Sequence, residues 1–144
     1  MSKAKVHGIG GLFFKAQDPE SLGRWYAENL GLGVQPWGGA VFEWQRRDAA
    51  PDPRLARGYT VWSPFKADTE YFSPGTKEFM VNFRVDDLDA MLEQLRGAGA
   101  QVLDRKEDGE NGRFGYVLDP EGTLIELWQP AVDDPALQQG AGQG

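Results

Sequence analysis

A chain of 144 residues with a formal charge of −7 has room for one domain with an ordinary core, and its acidity argues against general affinity for phosphate backbones. It contains no cysteine, which excludes a disulfide framework, thiolate metal sites and a cysteine nucleophile, and fits a reducing cytoplasm. No apolar run approaches the ~20 residues of a membrane span and no signal-peptide core follows the first residues, so a cytoplasmic protein without membrane or nucleic-acid partners is expected.

In chain order, Gly8 to Lys15 reads as a first strand, and Asp18-Pro19-Glu20 as a helix start: a capping carboxylate, proline at the first helical position and an acid at the positive end of the dipole. The helix, carrying Leu22, Trp25 and Tyr26 as an apolar stripe, stops at Gly31-Leu32-Gly33. Short strands are expected at Val34–Trp37, Ala40–Gln45 and Tyr59–Trp62, with a proline-bearing loop between the last two. The connection 65–76 has no period but contains Tyr71-Phe72, which suits a covering flap. From Phe79 to Val85 residues alternate as in a half-buried strand. The period then changes to Leu88, Met91, Leu92, Leu95, one stripe of a helix capped by Asp86 or Asp87. Strands at Gln101–Leu103, Arg113–Leu118 and Thr123–Trp128 follow, the last two joined by the tight turn Asp119-Pro120-Glu121-Gly122. From Ala131 the composition turns to Asp, Gln, Gly and Ala, and 131–144 is expected to be a flexible tail.

The two halves align with each other. Phe14-Lys15-Ala16-Gln17-Asp18 echoes Phe83-Arg84-Val85-Asp86-Asp87, and Thr60-Val61-Trp62-Ser63-Pro64 matches Glu126-Leu127-Trp128-Gln129-Pro130. A repeated βαβββ unit, module one at about 8–64 and module two at about 77–130, predicts an α+β fold: one curved mixed sheet, helices outside, a concave face left for a ligand. The helix start through Trp25-Tyr26 to Leu30-Gly31, the run Phe83 to Asp89, and Gly112-Arg113-Phe114 through Asp119-Pro120-Glu121-Gly122 to Ile125-Glu126-Leu127 resemble the vicinal oxygen chelate superfamily. That group holds glyoxalases, bleomycin-resistance proteins, fosfomycin-resistance enzymes and extradiol dioxygenases. The resemblance implies a single domain over 1–130 and favours a homodimer.

In metal-using relatives the ion is held by side chains from the first and fourth strands of each half, positions that the resemblance and the internal alignment place at Gly11, Thr60, Met80 and Glu126. Only Glu126 keeps a strong donor; glycine offers none, and a thioether and a hydroxyl are poor partners for a hard divalent ion. The expectation is therefore no cofactor, with a divalent metal as the alternative. His7, the one histidine, lies ~13 Å along the strand from Gly11, too far to share an ion; an ordinary, partly exposed histidine is expected.

Glu126 in an apolar hollow has to be paired, protonated or wetted. Arg84 and Asn82 share the face of Met80 and are candidates to reach it, either as a structural pair or as polar groups that orient a ligand. Trp62, Trp128 and Phe13 are candidate cup walls, with core packing as the plain alternative; Glu43, Trp44 and Tyr71 are weaker candidates. The favoured expectation is a metal-independent protein that encloses a small apolar or aromatic molecule among Phe13, Thr60, Trp62, Met80 and Trp128, with Glu126, Arg84 and Asn82 as polar contacts. The alternative is a glyoxalase-like lyase or isomerase with Glu126 as general base.

Overall fold

The computed structural model describes residues 3–136. Asp18 accepts the Ser21 N–H at 3.0 Å, Pro19 opens α1 (Pro19–Leu30), and Gly31 closes it in the left-handed conformation at φ 72°. Asp87 caps α2 (Leu88–Gly97) in the same way, through the Ala90 N–H at 3.0 Å. Between and after the helices run β1 (Val6–Ala16), β2 (Ala40–Gln45), β3 (Arg57–Lys66), β4 (Phe79–Val85), β5 (Gln101–Gly109), β6 (Gly112–Leu118) and β7 (Leu124–Pro130). They form one open seven-stranded sheet in the order β2-β3-β1-β4-β7-β6-β5, the α+β architecture expected. The halves join where β1 runs antiparallel to β4, and each half contains one parallel pair, β1–β3 and β4–β7.

One expected element is absent. Val34–Trp37 forms a turn, held by Gln35 N–H to the Gly39 carbonyl and Gly38 N–H to the Gln35 carbonyl. Pro36 has no N–H to give a ladder, and Gly38 at φ 104° reverses the chain. Residues 131–136, inside the stretch expected to be a flexible tail, are packed: Asp134 is 1% exposed. The rest of that stretch, 137–144, lies outside the described residues.

Alternation sorts the sheet into two faces. The outer face carries Val81, Phe83, Val117 and Leu127, and α2 packs there through Leu88, Met91 and Leu92. Gly115 on β6 lets that helix approach, since a Cβ there would stand 3.1 Å from Leu92 Cδ1. The inner face carries Phe13, Met80, Asn82, Arg84, Phe114, Tyr116, Leu124, Glu126 and Trp128, as the pairings Phe13↔Met80, Asn82↔Glu126, Tyr116↔Glu126 and Phe114↔Trp128 require.

Candidate functional site

The inner face lines a cavity of about 550 Å³, walled by Phe13, Trp37, Val61, Tyr59, Phe114 and Trp128, with Asn82 and Glu126 at its floor. Phe114 and Trp128 stack at 5.5 Å, and the Trp128 indole N–H is tied to the Asn111 carbonyl at 3.0 Å. That wall is therefore aromatic and fixed.

Glu126 is 3% exposed and has three donor groups against it. Asn82 Nδ2 donates to Oε1 at 2.7 Å, and the hydroxyls of Tyr71 and Tyr116 each lie 2.6 Å from Oε2. Burial, and next the Glu126 charge, push both phenols above the ordinary tyrosine range, so they stay protonated. The connection after β3, where a flap is expected, folds Phe72 into the core and delivers Tyr71 to the carboxylate. Asn82 Oδ1 is buried without a donor and faces the β1 backbone; a Cβ on Gly10 would fall 2.2 Å from it. Gly10 is needed there for that close approach.

Arg84 does not reach Glu126. Its side chain is wholly buried, with the guanidinium carbon 4.5, 5.2 and 5.4 Å from the ring centres of Trp128, Tyr59 and Trp44. Nε and Nη1 have no acceptor. Burial pushes this guanidinium down to about 10, still charged at neutral pH. Above it, Tyr59 donates to Asp134 Oδ2 at 2.5 Å, and Asn111 Nδ2 donates to Oδ1 at 2.9 Å. This anchors 131–136 over the cavity mouth, where Ala136 forms part of the rim.

The four positions assigned to the superfamily's metal do not converge. Gly11 pairs with Val61 and Asn82, which sends Thr60 to the opposite face, where its hydroxyl donates to the Ile9 carbonyl and accepts from Trp44 Nε1. Trp62 goes with it and packs on Phe14 and Tyr26 beneath α1, so it is core and not a cup wall. Met80 does face inward but lies one row away, packed with Phe72, Tyr116 and Leu124. The row that contains Glu126 offers Tyr116, Asn82, Gly11 and Val61: one carboxylate, one phenol that stays protonated, one amide, and two residues with no donor. Among the described residues no group of three or more His, Cys, Asp or Glu is placed to hold an ion. That set does not fit a divalent metal. Glu43 lines the rim, paired with Arg57, and Trp44 fills the space above Gly8 and Gly58. His7 is more buried than expected, with a side chain 3% exposed beside Arg46 and Asp86.

Sequence reasoning missed Tyr116, Tyr59, Val61 and Phe114. A signal existed for two of them: the tight turn at Asp119–Gly122 pairs Leu118 with Leu124 and therefore Tyr116 with Glu126 and Phe114 with Trp128.

Comparison with known proteins bears on this geometry. Two mycobacterial proteins named "Putative glyoxylase CFP32", from Mycobacterium bovis and Mycobacterium tuberculosis, are each 39% identical over 46 residues, spanning 31% of this chain and 18% of theirs. Among solved structures, methylmalonyl-CoA epimerase from Mycobacterium tuberculosis superposes with a TM-score of 0.55 at 22% identity, covering 96% of both chains. A Streptomyces coelicolor methylmalonyl-CoA epimerase does so at 0.59 and 18%, covering 85% of this chain and 96% of its own. At those identities the likeness shows the fold. The family model described as "Glyoxalase-like domain" matches residues 11–128, and with the paired halves and the shared inner face, the chain belongs to this glyoxalase-like family of the vicinal oxygen chelate superfamily.

Proposed function

We propose that the cup binds a small, flat, largely apolar molecule without a metal ion, with a hydrogen-bond donor on that molecule directed at Glu126. One observation carries this reading: a rigid aromatic cavity ends on a single buried carboxylate that protein donors already hold in place. The walls supply dispersion and apolar burial, and the carboxylate, which can accept more than the three hydrogen bonds it has, selects for an O–H or N–H.

The test titrates tryptophan fluorescence with 2-naphthol and with 2-methoxynaphthalene, the same ring system without the donor. Saturable quenching by both is expected, with 2-naphthol favoured by roughly tenfold, the worth of one hydrogen bond to a charged group. Val61→Trp, which fills the cavity, abolishes both. Absence of saturation, or binding that survives Val61→Trp, overturns the proposal. So does a stoichiometric metal lost with Glu126→Ala in protein purified without chelators.

A second reading, a glyoxalase-like lyase or isomerase step, is favoured by the two phenol hydroxyls beside Glu126. Their protons point at Glu126 and hold it in place as the base that would remove a carbon-bound proton. Deuterium incorporation from D2O into 2-tetralone, lost in Glu126→Gln, separates this reading from binding alone.

We propose a homodimer as the assembled state. On the outer face of β1 and β4, between the ground covered by the two helices, Ile9, Leu12 and Phe79 are 44%, 43% and 46% exposed, an apolar strip suited to a second copy. Light scattering should report a dimer, and Leu12→Glu a monomer; a wild-type monomer at micromolar concentration rejects it.

A further inference from the structure

The hydroxyl oxygen of Tyr116 has two carboxylates against it. Glu126 Oε2, on the cavity floor, lies 2.6 Å away, and Glu107 Oε2, on the edge strand β5, lies 2.5 Å away. Tyr71 OH stands 3.0 Å from the same phenol and 2.6 Å from Glu126 Oε2. Tyr71 and Tyr116 bring one hydroxyl proton each. If Tyr71 gives its proton to Glu126, Tyr116 can serve only one of its two carboxylates. The other would then press an anionic oxygen on a phenol lone pair at hydrogen-bond distance with nothing between, a repulsive contact in a buried place. One additional proton on the carboxyl pair removes the conflict.

The surroundings suit such a proton. Tyr116 is 0% exposed, whereas the Glu107 side chain is 49% exposed, so the three groups lead from the cavity floor to solvent at the edge of the sheet. Every element packed on the group contributes a fixed partner. β4 supplies Asn82 on Glu126 Oε1, the flap supplies Tyr71, and β5 supplies Arg105. The Arg105 guanidinium carbon lies 4.1 and 4.5 Å from the ring centres of Tyr116 and Tyr71, and its Nη2 donates to Glu107 at 3.2 Å. That cation offsets the charge of the carboxyl pair, whichever member holds the proton.

We infer that Glu126, Tyr116 and Glu107 form a proton relay in which two carboxyl groups hold one proton between them across a phenol, connecting the cavity floor with solvent at the outer strand. The transfer balances without another reactant. The Glu126 acid gives its proton to the Tyr116 oxygen as the Tyr116 hydroxyl proton passes to Glu107; the phenol is neutral before and after, and Glu107 releases the proton to water. Rotation of the hydroxyl resets the path. The cavity floor can thus gain or lose a proton through the edge of the sheet.

The test follows the carboxyl-carbon NMR signals of Glu126 and Glu107 against pH, in the full chain without any ligand, so its outcome is independent of what the cavity binds. In wild type the two signals should move together through shared steps. Glu107→Gln, at an exposed position, should remove the shared step from the Glu126 curve. Tyr116→Phe should leave each carboxyl titrating alone, provided its amide spectrum stays dispersed; should that variant not fold, Glu107→Gln decides. Independent single-step curves in wild type, or a Glu126 curve unchanged by Glu107→Gln, would overturn the relay.

Discussion

Asn82 and Glu126 are register partners across the parallel β4–β7 pair and are joined by the Nδ2–Oε1 hydrogen bond of 2.7 Å. β4 is also the strand on which the first half of the chain docks. The buried acid of the cup is therefore positioned by a residue at the seam between the halves, and the sheet has to be correctly assembled before the site exists.

This makes Asn82 a test of how the carboxylate is held. Asn82→Leu keeps the branched shape but leaves Glu126 Oε1 buried without its donor, at a cost of about 1–3 kcal/mol in urea unfolding. Asn82→Asp places a second carboxylate at that contact, so its loss of stability should be larger at about pH 8 than at about pH 5, since two adjacent carboxylates resist joint ionisation. An Asn82→Leu variant as stable as wild type would show that the phenols alone satisfy Glu126.

Most of the architecture was legible because local chemistry and periodicity agree. Asp18-Pro19 and Asp87 cap where caps were expected, and the change of period after Val85 marks the passage from β4 into α2. What escaped was register. Parity along a single strand places Met80, Asn82 and Arg84 on one face, and the inner face bears this out. The shift between Ile9 and Gly11 in the β1–β4 ladder, together with the parallel pairing of Gly11 with Val61, sends Thr60 and Trp62 outward. A bulge moves every later partner by one residue, and a single sequence carries little sign of it beyond the glycine cluster. Arg84 was misjudged for another reason. Sequence suggested a carboxylate partner, whereas the chain surrounds it with three aromatic rings drawn from β2, β3 and β7.

A buried guanidinium with two unpartnered nitrogens pays desolvation that cation–π contacts only partly return. Arg84→Met, apolar and of similar length, should be neutral or stabilising by about 1–2 kcal/mol. Arg84→Ala should instead cost about 2–4 kcal/mol, because it opens a void among Trp44, Tyr59 and Trp128. Thermal and urea unfolding of the two variants decide it; equal destabilisation would mean that the charge itself holds the rings together.

Toward the first half of the chain, Asn82 and then Gly11 follow Glu126 in its sheet row, so they are where a metal site has to be built. Gly11→His with Asn82→His should yield stoichiometric zinc or nickel binding by calorimetry, once Phe13→Ala clears the ring that lies 2.5 Å from a Cβ at position 11. Thr60→His in place of Asn82→His should bind none, since position 60 faces away. A metal-binding Thr60 variant would contradict the register.

Asp134 accepts from Tyr59, Asn111 and the Ala136 N–H, and these contacts secure 131–136 at the cavity mouth. Asp134→Ala strands two buried donors and should cost about 1–3 kcal/mol. Its signature is local: amide exchange should rise first in 131–136 and at Asn111, ahead of β7. Uniform exchange across the sheet would mean that the segment is part of the global core.

His7 gives a pH signature that one resonance can follow. Burial lowers it from the ordinary value of 6.5, the Arg46 charge lowers it further, and Asp86, 3.3 Å from Nε2, opposes both. The unfolded chain therefore binds a proton at a pH where the folded chain does not. Stability rises with pH between the folded value and 6.5, is flat above, and falls as the solution is acidified through that window. Proton NMR of the one histidine should place its midpoint below 6.5, and wild-type unfolding free energy should drop between about pH 7.5 and pH 5.5. His7→Gln should flatten that drop while leaving carboxylate-driven losses at lower pH in place. A midpoint above 6.5 would show that the Asp86 contact outweighs burial and Arg46, and the slope would then reverse.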